Sequence, residues 1–363
     1  MASTADTDRS SSGRAPARTA SSAARADEAG EQATAGHEES RIRARRFDAD
    51  RTDQVLELDD ALSGKQSERQ LLWIDISGPM PEGLVTRLTH AFDLDESTAT
   101  ALDSEVREPA LAVHGSYLHV TVAAEPDPVR PRDSPWLTAV AAPNAVITLH
   151  DLPIDFLEDL DDQVQADSAY GLLDSHTFLA TLLHVTVTSY LGAVDRIEED
   201  VERLDELSLR DRGQKRLLSD LVSVRGRIAE LRRLLARHRY VYAGMNGLVL
   251  GETKEPESGA LALRDVATRY AEAMVAIEGA RELVLGSFNV YSTRTAQRTN
   301  DTMKVLTLVT VLLLPGSLIA GLLGMNVIVP LDKDDPRAFW MVLAGVVTLA
   351  IVILVVARRR RWM

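Results

Sequence analysis

Two long apolar runs near the C-terminus constrain this chain more than any other feature. Residues 305–323 carry no charged side chain, and residues 338–357 form a second run of the same kind. A helix of either length crosses the roughly 30 Å hydrocarbon core of a bilayer. Because the connection between the runs is short, the sequence predicts an antiparallel pair of transmembrane helices.

Four arginines, Arg358 to Arg361, follow the second run directly. Basic residues beside a membrane span stay on the cytoplasmic side, so this cluster predicts that both termini are cytoplasmic and that the connecting loop lies outside. We therefore expect a multi-pass protein of the cell (inner) membrane. The alternative is a buried hairpin of a soluble protein, which explains neither the two full-length uncharged runs nor the arginines.

Composition and charge exclude several classes of function. The chain has no cysteine, which rules out disulfides, thiolate metal sites and thiol catalysis. Its net charge of −14 argues against a nucleic-acid surface and favours cations as partners. No phosphate-binding glycine loop or hydrolase spacing is present, so we expect no enzyme activity and no cofactor. The membrane potential can drive a cation inward, by about 4.6 kcal/mol per 100 mV for a divalent ion.

The part before the membrane runs divides into a tail, a mixed domain and long helices. Apolar, β-branched runs at 71–76, 111–124 and 136–150 alternate with predicted helices at 81–92 and 96–106, which indicates an α+β domain with an α/β/α arrangement. The predicted order is a disordered tail (1–40), the α/β/α domain (41–166), long paired helices (167–258), a stalk helix (259–302), a first membrane helix (303–326), an outer loop (327–337), a second membrane helix (338–357) and a basic cytoplasmic end (358–363).

The helical region carries two patterns with open interpretations. Helical spacing covers 167–208 and 212–248, and the acidic stretch between them is either a solvated helix face or a patch that concentrates cations. His114 and His119 could be metal ligands, but alternate side chains of a strand point to opposite faces, which favours a structural role. A third helix begins near Gly259 and meets no strong breaker before Pro315.

One face of the first membrane run is smaller and more polar than the other. Its members recur every three or four residues, the spacing of one helix face: Asn300, Met303, Leu306, Thr310, Leu314, Ser317, Gly321 and Gly324. The opposite face carries Val305, Leu308, Leu312 and Ile319. Close helix packing also explains the glycines. Two spans cannot enclose a channel, so a pore requires several copies around an axis.

The stretch NDTMKVLTLVTVLLLPGSLIAGLLGMN, residues 300–326, resembles the pore helix of the CorA-type magnesium transporters, the two-span Gly-x-Asn family. Asn300, the run 303–307, Pro315, the run 319–321 and Gly324-Met325-Asn326 stand in that family's order and spacing. The resemblance implies a homopentamer in the lipid bilayer, with cytoplasmic α/β/α domains that form a funnel and first spans that line the pore. It also implies that Gly324, Met325 and Asn326 form the selectivity filter, with a ring of five Asn326 carbonyls.

The resemblance assigns roles to further residues. Asn300, Met303, Leu306, Thr310, Leu314, Ser317 and Gly321 line the pathway, with Met303, Leu306 and Leu314 as apolar constrictions, and Lys304 is a basic residue at the inner pore mouth. Asp265 falls where the family's stalk carries a regulatory aspartate that shares intracellular Mg²⁺ with an acid of the neighbouring subunit. That partner position here is near Thr100-Ala101, and Asp103 is the nearest acid. The alternative for Asp265 is a surface salt bridge with Arg264 or Arg269.

The outer loop departs from the family pattern. The usual magnesium members continue with an aromatic residue and Met-Pro-Glu, whereas Val327-Ile328-Val329-Pro330 is one residue shorter and the acids follow at Asp332, Asp334 and Asp335. The sequence thus predicts influx of Mg²⁺, with Co²⁺ and Ni²⁺ as further ions. Two alternatives remain open, a zinc transporter of the same fold and a non-transporting membrane scaffold or sensor.

Overall fold

The computed structural model of the protein describes residues 40–50, 53–64, 66–67, 69–127, 129–163, 170, 173–209, 214–248, 257–325 and 336–359. The predicted tail therefore lies outside the described residues except for Ser40. The chain divides into two compact units. The first comprises Met1–Asp127, Asp133–Ser189 and Leu234–Ala271, and the second comprises Pro128–Arg132, Tyr190–Arg233 and Glu272–Met363.

The strands all belong to the first unit. They are β1 (Arg41–Asp48), β2 (Gln54–Leu56), β3 (Gln70–Ser77), β4 (Ala110–Val113), β5 (Leu118–Ala123), β6 (Trp136–Ala142) and β7 (Ala145–His150). The helices are α1 (Leu58–Ser63), α2 (Leu84–Phe92), α3 (Glu96–Asp103), α4 (Asp155–Gln163), α5 (Ser175–Leu209), α6 (Gln214–Arg237), α7 (Arg239–Leu248), α8 (Glu257–Gly324) and α9 (Pro336–Arg359), with a 3-10 turn at Pro131–Asp133.

The seven strands form one mixed sheet in the order β2-β1-β3-β7-β6-β5-β4. Only β3 and β7 run parallel, and every other neighbouring pair is antiparallel. Ile74 of β3 pairs with Ala44 of β1 on one side and with Ile147 of β7 on the other. The pairing register therefore places these three apolar side chains on one face of the sheet.

Helices cover both faces of this sheet. On one face, Ile74 and Ile147 belong to a buried core that includes Leu84 and Leu88 of α2 and Leu102 of α3. On the other face, Phe47 and Trp73 meet Phe178 of α5, with ring centroids 5.9 and 6.1 Å apart. The α/β/α arrangement that the sequence predicts is therefore present in the structure.

The sequence misplaced several strand boundaries. β1 and β2 were not predicted. In β1, arginines interrupt the apolar pattern around its buried residues, Ala44 and Phe47. The runs 111–124 and 136–150 each form two strands instead of one. Asn144 supplies the positive φ of 53° at the turn between β6 and β7, a conformation that asparagine tolerates.

The predicted helix 212–248 is two helices, α6 and α7, which meet at His238. The His238 ring is buried, its Nδ1–H donates to the Leu234 carbonyl at 2.8 Å, and its Nε2 accepts from the Ala123 amide at 2.8 Å. These two bonds fix a neutral tautomer, and burial lowers the pKa of His238 to about 4. The ring thus ties the helix break to the end of β5, a contact that local sequence cannot reveal.

Three helices among the described residues are long and apolar enough to cross a membrane by length and composition. They are Ser175–Leu207 within α5, Ser258–Leu322 within α8 and Phe339–Arg359 within α9. The apolar window of the first is 56% buried inside the protein, whereas those of the second and third are 6% and 0% buried. Only the last two leave their apolar surface uncovered, and these are the two spans that the sequence predicts.

Candidate ion pathway

The C-terminal part of α8 packs against α9 through one face. Leu308 is 8% exposed, and Leu312, Gly316 and Ile319 are half-buried at the three- and four-residue spacing of a single helix face. A Cβ placed on Gly316 would lie 3.6 Å from Cγ1 of Val346 on α9. Leu308, Leu312 and Ile319, which the sequence places opposite the smaller and more polar face, thus lie on the face that α9 covers.

Val305 has the same helical spacing as Leu308 and Leu312, but its side chain is 61% exposed. It lies close to the polar end of the span, one turn before Leu308, and α9 does not cover it. The covered face therefore begins at Leu308.

The predicted pathway residues all lie on the uncovered side of α8. Each of Asn300, Met303, Leu306, Thr310, Leu314, Ser317 and Gly321 is exposed in the single chain. Exposure reaches 56% for Met303, 60% for Leu306 and 64% for Leu314, which are large apolar side chains. One protomer thus presents this face, opposite its α9 contact, to lipid or to another molecule.

The hydroxyl groups on this face are available as acceptors. Thr310 donates its hydroxyl proton to the Leu306 carbonyl at 2.9 Å, and Thr307 donates to the Met303 carbonyl at 2.8 Å. Each donation leaves the oxygen lone pairs free, and such oxygens accept hydrogen bonds from the water shell of a cation. Gly321 and Gly324 have no neighbouring atom within 4 Å of a Cβ position, so another helix can approach them closely.

The predicted filter is only partly described. α8 ends at Gly324, and the amide of Met325 donates to the Leu322 carbonyl at 3.4 Å, while Met325 itself is 53% exposed. Asn326 and the loop acids Asp332, Asp334 and Asp335 lie outside the described residues. The same tripeptide recurs as Gly244-Met245-Asn246 within α7, where Met245 is fully buried. Gly-Met-Asn alone is therefore no marker of a filter in this chain.

Lys304 lies at the inner end of the span, on the side of α8 that carries Leu308. It is half-buried and pairs with Asp301 at 2.9 Å. Its position one helical turn before Leu308 places it toward α9, about opposite to Leu306 and Thr310. The single chain thus places Lys304 on the side of α8 away from the predicted pathway face, and Asp301 balances its charge locally.

The two aspartates predicted to bind regulatory Mg²⁺ are both exposed side chains of the first unit. Asp265 lies in the first turns of α8, and Asp103 is the last residue of α3. Among the described residues Asp265 forms no salt bridge, so the alternative pairing with Arg264 or Arg269 is not found there. The described residues also contain no group of three or more His, Asp or Glu side chains able to hold a metal ion.

The two histidines considered as ligands are engaged separately. His114 lies after the end of β4, so strand alternation does not govern its direction, and it pairs with Asp95 and stacks on Tyr117 at 4.3 Å. His119 is buried within β5, with its Nε2 3.3 Å from the Thr121 hydroxyl. Burial lowers the pKa of His119 to about 4, with help from the charges of His114 and Arg107.

A buried charged network in the sheet was missed from the sequence. Asp75 of β3 is fully buried and accepts from Arg43 of β1 at 2.9 Å and from the Thr148 hydroxyl at 2.6 Å. His150 Nε2 lies 3.4 Å from Asp75, and His150 Nδ1 lies 2.7 Å from the Leu152 carbonyl. Because both ring nitrogens face acceptors, this geometry favours the doubly protonated imidazolium. The signal was the lone acid in the apolar run LLWIDI.

The network shifts the pKa of both titrating partners. Burial alone would lower the pKa of His150, but the hydrogen bond and charge of Asp75 outweigh burial and raise it. Burial alone would raise the pKa of Asp75, but His150, Thr148 and Arg43 together lower it. Asp75 is therefore ionised at neutral pH and paired with Arg43, and the raised pKa of His150 favours its charged form beside this pair.

The family profile described as CorA-like Mg2+ transporter protein matches residues 68–359. The "Cobalt/magnesium transport protein CorA" of Thermotoga maritima is 21% identical over 300 residues, covering 80% of this chain and 83% of the relative. The "Divalent cation transporter CmaX" of Pseudomonas aeruginosa is 29% identical over 306 residues, covering 80% and 87%.

Solved structures show the same fold. The CorA magnesium transporter of Methanocaldococcus jannaschii superposes with a TM-score of 0.69 at 19% identity, over 89% of this chain and 98% of that structure. Full-length CmaX gives a TM-score of 0.68 at 24% identity, over 90% and 100%. The ZntB cytoplasmic domain of Vibrio parahaemolyticus gives 0.55 at 10% identity, over 70% and 99%. With a family match that spans most of its length, this chain belongs to the CorA-like Mg2+ transporter protein family.

Proposed function

We propose that this chain is a channel for divalent cations that carries Mg²⁺ into the cell, with Co²⁺ and Ni²⁺ as further substrates. The observation that carries the proposal is the division of the α8 span into two faces. α9 covers Leu308 and its face, and leaves Thr310, Leu314 and Ser317 uncovered. A polar, uncovered face on a membrane span is costly unless it faces water or other copies.

In the proposed assembly five copies place this face around a common axis. Oligomers of membrane helices close around an axis by symmetry, and each copy then contributes the same residue to each ring. Met303, Leu306 and Leu314 would form apolar rings that exclude water when the pore narrows. Thr310 would supply oxygen acceptors between the Leu306 and Leu314 rings, and Ser317 would supply them beyond the Leu314 ring. This arrangement conducts a cation without any enzymatic step.

Asn326 is the proposed selectivity residue at the outer end of α8. Mg²⁺ releases its octahedral waters reluctantly, so a ring of neutral side-chain carbonyls suits the hydrated ion through those waters. The loop acids Asp332, Asp334 and Asp335 would concentrate cations at the outer mouth without binding them tightly. The arginine cluster at 358–361 favours a cytoplasmic position for both termini, and in that orientation the inside-negative membrane potential would drive the ion inward.

Regulation by intracellular Mg²⁺ is part of the proposal. Asp265 is exposed and unpaired among the described residues, and so is available to an ion shared with a neighbouring subunit. Asp103 is the nearest acid that the first unit offers as a partner from a second copy. An ion held there would favour the closed assembly, because it binds that state more tightly.

The test is Mg²⁺ uptake into vesicles that contain the purified full-length protein. Asn326→Ala should lower the flux at least about tenfold, because the filter loses its carbonyl ring. Asn246→Ala makes the same chemical change in the second Gly-Met-Asn, where the side chain is exposed on α7, and should leave the flux unchanged. Wild-type flux in the Asn326→Ala variant would refute the assignment of the filter. No flux in the wild-type protein would favour the scaffold or sensor instead.

A second candidate keeps the fold and carries Zn²⁺. The loop after Asn326 supports it, because that loop is one residue shorter than in the magnesium members that the chain resembles and carries its acids later. Competition between Mg²⁺ and Zn²⁺ in the same vesicles, with and without a proton gradient, separates the two candidates. The second candidate would replace the first if a proton gradient accelerates the Zn²⁺ flux and Mg²⁺ does not inhibit it.

A further inference from the structure

The cytoplasmic end of α9 carries two arginines that the described part of the chain leaves without a partner. Arg358 and Arg359 are exposed, and neither forms a hydrogen bond or ion pair among the described residues. Arg360 and Arg361 follow in sequence. Positive charge of this density normally has a counterion, so the chemistry calls for an anionic partner.

The helix geometry sets the direction of these side chains. α9 faces α8 through residues three or four positions apart that are half-buried or buried, namely Val342, Val346, Ala350, Ile353 and Ala357. Arg358 and Arg359 follow Ala357 by one and two positions, and each step turns the side chain by about 100°. Both arginines therefore point away from α8. Since the proposed pore lies on the far side of α8, they face the lipid.

The depth of these side chains matches the edge of a bilayer. Trp340, at the other end of α9, is 66% exposed, and Arg358 follows it by about 27 Å of helix, close to the roughly 30 Å hydrocarbon thickness. Aromatic rings and arginines both prefer the two interfaces of a membrane. The side chains between them on this face, such as Val347, Ile351 and Val355, are apolar and exposed.

Lys304 does not compete for the same partner. The number of residues from Lys304 to Gly316 equals the number from Val346 to Arg358. Because Gly316 lies against Val346 and the two helices are antiparallel, Lys304 and Arg358 lie at the same level along the helix pair. Lys304 already pairs with Asp301. The unbalanced positive charge at this level is thus on the outer side of α9.

We propose that Arg358 and Arg359 form a binding site for the phosphate groups of anionic phospholipids in the cytoplasmic leaflet. The guanidinium group binds phosphate through two parallel hydrogen bonds and keeps its charge at every physiological pH. A lipid phosphate lies at the depth of these side chains and has the complementary charge. The outward direction rests on the proposed function, because that function places α8 between α9 and the pore axis.

The experiment measures lipid selectivity by electron paramagnetic resonance. The full-length protein is reconstituted in phosphatidylcholine vesicles with spin-labelled phosphatidylglycerol or spin-labelled phosphatidylcholine, and the motionally restricted fraction gives the relative association of the two lipids. The wild-type protein should prefer phosphatidylglycerol. Arg358→Gln/Arg359→Gln should lower that preference by roughly two- to fivefold, because each arginine near the surface contributes to anionic-lipid binding.

Matched variants separate this site from general charge and from misfolding. Arg216→Gln/Arg225→Gln removes the same charge from exposed positions of α6 and should keep the full preference. Arg358→Lys/Arg359→Lys keeps the charge and should retain most of the preference, which shows that the fold at this end tolerates substitution. An unchanged preference in the Gln variant, an equal loss in the α6 control, or no preference in the wild type would each overturn the proposal.

A free anion is the remaining source of the same chemistry. If the wild type shows no lipid preference but binds inorganic phosphate, and Arg358→Gln/Arg359→Gln loses that binding, the site takes free phosphate and the lipid assignment is overturned. Persistence of the preference in phosphate supports lipid. Mg²⁺ flux in the same vesicles is a separate readout. If Asn326→Ala conducts like the wild type, the proposed pore is refuted. The site at Arg358 and Arg359 is decided by the lipid selectivity alone.

Discussion

At the scale of single residues, the buried network of Asp75 and His150 makes the stability of the first unit depend on pH. His150 has a raised pKa in the folded chain, so its stabilising contribution is complete below the unfolded value of 6.5 and is lost as pH rises through the folded pKa. Asp75 has a lowered pKa, so its contribution is present above 3.8 and is lost as pH falls through the folded pKa. Both contributions are complete between these two unfolded values.

We predict that the melting temperature of the full-length protein falls as the pH rises above about 6.5, and that His150→Gln flattens this fall. The free energy of unfolding of the variant should also be lower than that of the wild type by on the order of 3 kcal/mol at low pH. The reason is that Asp75 and Arg43 remain buried without His150 as their partner. Thermal unfolding followed by tryptophan fluorescence measures both effects. Trp73 reports directly, since its Nε1–H donates to Thr148 within the network at 2.9 Å.

His90→Gln is the control for this prediction, because His90 is exposed on α2. Its pH profile should match that of the wild type. A wild-type slope in His150→Gln would show that another group causes the pH dependence. The sequence could not have located this network, because Arg43 and His150 lie far from Asp75 along the chain and only the strand pairing brings the three together.

At the scale of secondary structure elements, the two faces of the α8 span can be distinguished chemically. The natural chain has no cysteine, so a single introduced cysteine is the only thiol present. Ser317 lies on the proposed pathway face, and Ile351 lies on the exposed apolar face of α9. A thiol reacts as its thiolate, which forms in contact with water and not in lipid.

We predict that a charged, membrane-impermeant thiol reagent modifies Ser317→Cys and lowers the cation flux several-fold, whereas Ile351→Cys stays unmodified and conducts normally. The reason is that only the first side chain would meet water in the assembled pore. Flux before and after the reagent, with mass spectrometry of the labelled chain, measures the result. Equal labelling at the two positions would contradict the division into a pathway face and a lipid face.

The long helices show which elements a sequence can predict. The charge-free length of the two spans and the period of their polar face depend only on local sequence, and α8 and α9 follow them closely. The break between α6 and α7 depends on the bonds of His238 to Ala123 and Leu234, and the first of these joins distant parts of the chain. Likewise, periodicity groups Val305 with Leu308 and Leu312, but only the contact with α9, which begins at Leu308, decides which of them is covered.

At the scale of the whole molecule, the proposed Mg²⁺ regulation links ion concentration to assembly. Asp265 and Asp103 are exposed in one protomer, and in the proposed assembly a neighbouring copy would complete the site. A ligand that binds only the assembled state stabilises it in proportion to the logarithm of its concentration. Regulation and oligomeric state are therefore tested together.

We predict that Mg²⁺ raises the melting temperature of the wild-type oligomer and that Asp265→Asn removes at least half of this rise. The substitution takes away the charge that a hard divalent cation prefers, while it keeps the size of the side chain. The control is Asp220→Asn, which makes the same change at an exposed position of α6. Glu272→Gln would not serve, because Glu272 has interactions of its own. An equal Mg²⁺ response in wild type and Asp265→Asn would exclude this aspartate as a ligand. The oligomeric mass in detergent, measured alongside, should correspond to a pentamer.

The predicted order of the segments matches the order of elements in the structure, from a mixed sheet domain to long helices and two apolar spans. The sheet topology could not be predicted in the same way. β1 is charged at most of its positions, and its place in the sheet depends on its pairing with β3, which brings Asp75 opposite Arg43. The filter role proposed for Asn326 comes from the resemblance alone, since a single asparagine after an apolar run has no distinguishing local pattern.

The buried apolar helix α5 has a consequence for how the protein is made. Its window has a mean hydropathy of 1.4, against 2.3 for the window in α8 and 2.9 for that in α9, and it leaves the ribosome before either of them. The insertion machinery therefore meets a segment of membrane-spanning length that has to stay out of the membrane. Polar groups within it, His184 and Thr186 among them, lower its partition into lipid. Correct topology thus depends on the lower hydropathy of α5 compared with α8 and α9, as well as on the arginines that follow the second apolar run.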